Sequence, residues 1–370
     1  MNLKTNLLIF SHNQFGYSIT PFKISEKINN KGSFNVTYLG WDYGRKKIYV
    51  EGVEVKYISR NGNILLRNIR LLKALHQELR SKKYNVTILQ YTRGISLVRL
   101  LNLKKKMIFD VRTLSVSDST WSRKIFNTFL KLESCFFKKK STISEGVARQ
   151  LGFKKYFLLP LGADVITREQ SIKNKDLHLL YVGTLQFRQM IVCVRGFHKY
   201  LLKSGNKSAK FTIVGDSFGA ELNEIKTYIS DHQLEECILT PGRIPHNQLY
   251  KHYNNATIGV SFIPMTSWYE HQPVTKTYEY LLAGLPVIAT KTYENRIVLH
   301  DEYLSELIND NEDEFSEAIE NLNNKLILAG EDLCKDLSKK YNKYTWDNIV
   351  SNYFVPEINR YIHNVNEISN

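Results

Sequence analysis

The sequence has few cysteines, few acidic groups in its first half, and no long apolar run. Its 370 residues include four cysteines, Cys135, Cys193, Cys237 and Cys334, which lie far apart and form no C-x-x-C pair. That spacing excludes a zinc ribbon and gives no support for a disulfide scaffold. Four reduced, mostly buried thiols are expected, as in cytosolic proteins. No stretch approaches the ~20 apolar residues of a membrane span. Leu7-Leu8-Ile9-Phe10 is too short for a signal-peptide core, and no cleavage site follows it. The expected location is therefore the cytoplasm, with any membrane contact peripheral. Low-complexity tracts and short repeats are absent. No Asp-x-Asp stands at a strand end and the histidines are scattered, so neither a metal site nor a cofactor is expected.

The bulk composition is that of a globular protein. Hydrophobic residues make up 43% and charged residues 24%, which excludes collagen-like, disordered and coiled-coil chains. The length suggests two domains, because single cores stop growing at about 250–300 residues. The net charge of +15 is uneven: residues 1–165 hold 30 basic and 10 acidic groups, whereas residues 166–370 hold 21 and 26. A strongly basic half points to phosphate, whether in nucleic acid, anionic lipid or a substrate.

Strand and helix patterns alternate along the chain. Apolar runs at Leu7–Ser11, Asn35–Leu39, Val53–Ile58, Asn85–Gln90 and Lys106–Asp110 read as strands. Between Leu65 and Lys83 the pattern is helical, with Leu65, Ile69, Leu72, His76 and Leu79 assigned to the inner face. Leu158–Gly162, followed by a polar stretch through Asp176, reads as a hinge or linker. A second series follows, with strands at Leu177–Val182, Lys210–Val214, Ile238–Thr240, Thr257–Phe262 and Pro286–Thr290. Its helices are expected at Met190–Leu202, Glu221–Gln233 and Thr275–Ala283, the first turning Ile191, Val194, Phe197 and Leu201 inward. Strands separated by helices imply parallel sheets wrapped on both faces.

Ligands of such sheets sit at the carboxyl ends of the strands. In the second half those positions hold Gly183–Gln189, Gly215-Asp216, Gly242-Arg243-Ile244 and Glu270–Glu279. Pro273 followed by Val-Thr-Lys-Thr-Tyr-Glu fits the first turn of a helix. The free N–H groups of Val274, Thr275 and Lys276 can then bind an anion. Lys276 and Glu279 share a helix face. An ammonium suits phosphate, and a carboxylate suits a pair of sugar hydroxyls, because it accepts two hydrogen bonds. Together they describe a nucleotide diphosphate; the alternative is an ordinary exposed Lys–Glu pair.

With its neighbours the segment resembles the donor domain of GT-B glycosyltransferases, most closely glycosyltransferase family 4. The resemblance is carried by Tyr181–Arg188, Ile213–Asp216, Gly242–Pro245 and the run PVTKTYEYLLAGLPVIAT from Pro273 to Thr290. Ser141–Leu151, Leu159–Asp164 and Tyr344-Thr345-Trp346 are similar to that family's domain junctions. The resemblance implies an α/β fold of two Rossmann-like domains facing a central cleft, with a C-terminal helix crossing back to the first. The implied acceptor domain is 1–165 plus a helix at about 346–370, and the donor domain is 166–345.

Residue by residue, the resemblance implies that Glu279 holds the nucleotide ribose. Val274, Thr275 and Lys276 grip the diphosphate, and Gly183 and Thr184 are further nucleotide-sugar-binding candidates. Gly242 to Ile244 lie beside the base, and Gly16 belongs to a loop that closes over the phosphates. Two departures stand out. Thr184 and Gln189 occupy positions where the family has an arginine and a lysine, which leaves Arg188 as the substitute cation. His271, with Glu270 beside it, stands where the family has the first of two glutamates. His271, Glu270 and Arg112 are the catalytic candidates, although a silent loop histidine fits position 271 as well. On the acceptor side the candidates are His12, Asn13, Arg93 and Asp110; Asp110 and Arg112 could equally be a structural pair.

The implied reaction moves a sugar, with retention and without a metal, from a UDP- or GDP-linked donor to an acceptor hydroxyl. A lipid-linked glycan in bacterial surface polysaccharide assembly is the expected acceptor, met at the inner face of the plasma membrane. Two other readings stay open: a nucleotide-sugar 2-epimerase of the same fold, and a non-enzymatic binder of membrane or nucleic acid. Lys104–Lys106 and Lys138–Lys140, each beside apolar residues, favour membrane over nucleic acid, for which no named module is readable.

Overall fold

A computed structural model describes residues 4–117, 119–166 and 176–363. The chain divides into two compact units, Met1–Leu161 with Trp346–Asn370, and Gly162–Thr345. The division falls after Leu161 rather than after 165, because the Ala163 N–H donates to the Tyr344 carbonyl at 2.9 Å and ties this segment to the second unit. Residues 167–175 of the segment read as a linker lie outside the described residues.

The first unit holds a seven-stranded sheet. Its strands are β1 (Thr5–Phe10), β2 (Phe34–Asp42), β3 (Val53–Ser59), β4 (Val86–Gln90), β5 (Met107–Val111), β6 (Lys139–Thr142) and β7 (Phe157–Leu158). All pairings are parallel, in the order β3-β2-β1-β4-β5-β6-β7. Leu7, Leu8, Ile9 and Phe10 are all buried, as expected for a strand covered on both faces. Order reverses between β1 and β4, and a crevice therefore opens beyond their carboxyl ends.

The helix read at 65–83 spans Ile64–Ser81, with the Asn63 side chain accepting from the Leu66 N–H at 2.9 Å. Its expected inner face is corrected. Leu71, Leu75 and Leu79 pack on the sheet, while Leu65 and Ile69 are 66% and 52% exposed. The helix carries apolar residues over more than one stripe, and periodicity alone could not choose between them.

The second unit repeats the architecture with β8 (His178–Val182), β9 (Lys210–Val214), β10 (Ile238–Gly242), β11 (Ile258–Ser261), β12 (Val287–Thr290) and β13 (Ser305–Ile308). These strands are parallel in the order β10-β9-β8-β11-β12-β13. That order is the doubly wound one, with its switch point between β8 and β11. Helix Ile191–Ser204 buries Cys193, Val194, Gly196, Phe197 and Tyr200; Ile191 and Leu201, expected inward, are only partly buried. Phe197 and Phe211 meet edge to face at 5.6 Å, in a core where each such side chain contributes about 1.5–3 kcal/mol.

The last described segment belongs to the first unit. Trp346 is buried, and the helical run continues to His363. Lys27 and Lys139 pair with Asp347 and Glu357 at 2.8 and 2.7 Å. Lys106 donates to the carbonyls of Tyr361 and Ile362 at 3.0 and 2.6 Å. Two members of the lysine triplets therefore anchor this segment. Among the described residues no helix is long and apolar enough to cross a membrane.

Candidate active site

At the β8–β11 switch point the second unit gathers its polar residues around helix Thr275–Leu282. The helix is fixed from below. Ser261 and Thr277 share a hydrogen bond of 2.6 Å between their hydroxyls, Thr277 Oγ1 donates to Asn295 Oδ1 at 3.1 Å, and the Tyr280 hydroxyl accepts from the Val182 N–H at 2.9 Å. Val274 is the N-cap and offers no side-chain cap. The first amides of the helix are therefore not capped by that side chain, and they carry partial positive charge.

Lys276 is buried here, and its ammonium lies 3.7 Å from the centroid of the Tyr181 ring. Burial, and then the nearby Arg188 guanidinium, push its pKa well below the usual lysine value. Arg188 stacks over Tyr269 at 4.6 Å, and its Nη1 is buried without a hydrogen-bond partner. Neither cation has an ion pair or side-chain hydrogen bond among the described residues. Two cations held near each other on aromatic faces, with no carboxylate hydrogen-bonded to either among the described residues and only the Glu279 carboxyl acting on Lys276 at longer range, form a site suited to an anion.

Glu279 lies one turn along the same helix. Burial, reinforced by the charge of Asp164 and only partly offset by Lys276, raises its carboxyl to about 7. Gly183 follows β8, and Thr184 is exposed beside it; the Tyr181 hydroxyl donates to the Thr184 carbonyl at 2.7 Å. Gly215 leaves no room for a side chain, since a Cβ there would lie 1.9 Å from the Gly183 carbonyl oxygen. In the same loop Phe187 and Gln189 are held at φ 58° and 50°, conformations that cost about 1–3 kcal/mol each. Glu221 holds the loop by accepting from the Phe187 N–H at 3.1 Å. Gly242 ends β10 at φ 77°, and its carbonyl accepts from the Gly215 N–H at 3.0 Å; Ile244 follows, half-buried.

The two catalytic candidates of this unit differ in their engagement. Glu270 Oε1 accepts from the Tyr293 N–H at 2.9 Å and from Arg296 at 3.1 Å, so its carboxylate anchors the start of helix Tyr293–Leu299. The His271 ring lies edge-on to Tyr293, 4.7 Å between centroids. Tyr181 and Asp164 lie within motifs of the resemblance but have no role assigned there, and the platform residue Tyr269 has no signature in the sequence. Only the folded chain brings them beside the cations.

In the first unit a cleft of about 840 Å³ opens at the β1–β4 switch point. It brings together His12, Asn13, Arg93, Asp110 and Arg112. Burial lowers the pKa of His12, whose Nδ1 lacks a partner. The Asn13 N–H donates to Ser11 Oγ at 3.1 Å, and Arg93 leans on Phe126 at 5.8 Å. Asp110 and Arg112 are paired to each other at 3.7 Å. Ser141 donates to Asp110 at 2.7 Å, and Arg112 donates to the Leu159 carbonyl at 2.7 Å. Both side chains therefore have protein partners already. Gly16 lies in the loop after β1 at φ 87°, where a Cβ would meet Ile48 at 2.3 Å. That loop is organised by Gln14, a buried residue with no motif to mark it. Its amide bridges Tyr43 and Arg45, accepting from the Tyr43 N–H at 2.9 Å and donating to the Arg45 carbonyl at 2.8 Å. Among the described residues no group of three or more His, Cys, Asp or Glu could hold a metal ion.

Residues 163–344 match the family model described as Glycosyl transferases group 1. Among curated protein sequences none matches the chain. Solved structures similar to the whole chain include the sucrose-phosphate synthase of Thermosynechococcus elongatus, 14% identical with a TM-score of 0.71, over 96% of this chain and 98% of that one. The α,α-trehalose-phosphate synthase (UDP-forming) of Burkholderia xenovorans is 11% identical with a TM-score of 0.71, over 96% and 100%. Anabaena HepE, in complex with UDP and glucose, is 12% identical with a TM-score of 0.70, over 97% and 98%. These likenesses extend over both units. Residues 163–344 are a glycosyl transferases group 1 domain, and the chain is a glycosyltransferase of the GT-B fold.

Proposed function

We propose that the chain transfers a sugar from a nucleotide diphosphate sugar, UDP- or GDP-linked, to the hydroxyl of a glycan acceptor. The observation that carries this reading is the pair Lys276 and Arg188 at the β8–β11 switch point, neither bonded to a carboxylate among the described residues. A diphosphate supplies the negative charge the pair lacks, helix Thr275–Leu282 adds its first amides, and Glu279 is placed for the ribose hydroxyls. Anabaena HepE, solved with UDP and glucose, supports the donor class. No metal or cofactor enters the scheme.

In the reaction the bond between the sugar's anomeric carbon and the β-phosphate oxygen breaks, and a bond to the acceptor oxygen forms. The acceptor proton passes to an oxygen of the departing diphosphate, on the same face, so configuration is retained. Lys276 and Arg188 stabilise the charge that grows on that leaving group, and His271 hydrogen-bonds the transferred sugar. The chain is assigned to glycosyltransferase family 4. Its acceptor is a lipid-linked glycan of bacterial surface polysaccharide assembly, such as O-antigen, capsule or exopolysaccharide, met from the cytoplasm at the inner membrane face. The basic first unit, with the cleft holding His12 and Arg93, supports the acceptor assignment. A thermal-shift screen with UDP, GDP and inorganic phosphate tests the donor reading. One nucleoside diphosphate should raise the melting temperature of the native chain and leave that of Lys276→Met unchanged; stabilisation by none of them would remove the donor assignment.

A further inference from the structure

Helix Thr120–Ser134 faces the wrong way for a soluble domain. It buries only Leu130, Glu133 and Ser134, whereas Trp121, Ile125, Phe129 and Leu132 are 77%, 48%, 51% and 57% exposed. These four recur at helical spacing and form one apolar stripe turned to solvent, where globular helices place polar side chains. The neighbouring helix Ile95–Leu101 likewise exposes Leu97, Leu100 and Leu101. Glu133 joins the two: its carboxylate accepts from the N–H groups of Gly94 and Ser96 at 2.8 and 3.0 Å. It is also the helix's one acidic group, so the outward face carries none. Residues 93–140 contain twelve basic and three acidic groups. Of the acidic three, Asp110 and Glu133 are buried. Lys124 and Lys131 are exposed along the stripe.

We propose that this face, the outward stripe of helix Thr120–Ser134 with helix Ile95–Leu101, inserts shallowly into an anionic lipid bilayer. An apolar stripe ending in tryptophan and flanked by lysines is the pattern of an interfacial helix. The local excess of positive charge selects anionic headgroups over a neutral or basic partner surface. The assignment places the contact on this helix rather than on the lysine triplets, where Lys106 and Lys139 are engaged with the C-terminal segment. Leu97 and Phe126, from the same two helices, also line the cleft of the first unit. Docking therefore brings the mouth of that cleft to the headgroup layer, where a lipid-linked glycan is presented. The inference rests on the lipid-linked acceptor reading for its purpose, while the lipid contact itself is measured without any acceptor.

The test is co-sedimentation of the full chain with vesicles of phosphatidylcholine alone and of phosphatidylcholine mixed with phosphatidylglycerol. Binding should require the anionic lipid, weaken with salt, and shift Trp121 emission to the blue. Trp121→Ser with Phe129→Ser should weaken it about tenfold or more, and Lys124→Glu with Lys131→Glu should do the same. Both double variants should keep the native circular dichroism spectrum and nucleotide-induced stabilisation. Failure of the native chain to bind anionic vesicles, or binding unchanged in the Trp121/Phe129 variant, would overturn the proposal. Docking through this face without transfer to any lipid-linked glycan would leave the proposal standing and remove the acceptor reading instead.

Discussion

The Lys276 ammonium sits 3.7 Å from the centre of the Tyr181 ring, with the Arg188 guanidinium and the Glu279 carboxyl both acting on it and no carboxylate hydrogen-bonded to it. The ring face and the burial hold a cation in a place that lacks its counter-ion. Replacing Lys276 by Met should stabilise the ligand-free protein by about 1 kcal/mol, because an unpaired buried charge is exchanged for an apolar side chain. The same change should lower kcat/KM about 100- to 1,000-fold, since charge on the leaving group loses its partner. Melting curves and donor-dependent turnover measure the two effects. A loss of activity accompanied by a lower melting temperature would mean that Lys276 is structural.

With Glu279 on the donor ribose, as proposed, donor binding should depend on pH. Its carboxyl is raised from 4.5 to about 7, chiefly by burial, and the ribose hydroxyls need the ionised form. Nucleotide affinity should therefore rise as pH passes upward through about 7 and level off above. Stability of the ligand-free protein moves the other way. The folded state holds this proton more tightly than the unfolded one, so the stability it contributes is full below pH 4.5 and lost as pH rises through about 7. Glu279→Gln should flatten both curves. Titration calorimetry of the nucleotide at several pH values checks the first, and melting curves across the same range check the second.

Glu270 and His271 should separate. Removing the Glu270 carboxylate strands the Tyr293 N–H and Arg296, so Glu270→Ala should cost about 1–2 kcal/mol of stability. His271→Ala should leave the melting temperature nearly unchanged and reduce kcat more than donor KM. A chemical-denaturation curve beside steady-state kinetics distinguishes them, and a stable, inactive Glu270→Ala would reverse the roles.

Asp110 and Arg112 are predicted to behave as a buried pair. Arg112 is largely enclosed and its charge is offset chiefly by Asp110. Asp110→Asn should destabilise the fold by about 3 kcal/mol, because it leaves the guanidinium uncompensated. Substituting both by Ala should cost less than the sum of the single changes. Additive losses in that double-mutant cycle would remove the pairing argument.

The sequence made the alternation of strands and helices legible because buried parallel strands such as Leu7–Phe10 are continuous apolar runs. The helix start at Thr275 was legible for the same kind of reason, since Pro273, Lys276 and Glu279 have fixed helical spacing. Which face of helix Ile64–Ser81 turns inward was not legible, because Leu71 and Leu75 compete with Leu65 and Ile69 on an equal hydrophobic footing. Only packing against the sheet decides. The supports of the site were hidden as well. Tyr181, near the end of β8, and Tyr269, in a turn, meet the cations only in the folded chain, and the positive φ values at Phe187 and Gln189 fall on residues that no rule would choose for them. Glu270 read as a catalytic candidate because its position in the chain was suggestive, while its hydrogen bonds to Tyr293 and Arg296 are long-range and carry no local signal.

The return of Trp346–His363 to the first unit has a consequence for biosynthesis. The unit holding Lys276 and Glu279 is built from one continuous stretch, Gly162–Thr345, and can close as soon as that stretch leaves the ribosome. The partners of Lys27, Lys106 and Lys139 in the first unit are translated only after that stretch. Nascent chains stalled before Trp346 would thus hold every residue of the second unit while the first unit still lacks its C-terminal segment, so the unit that begins first is completed last.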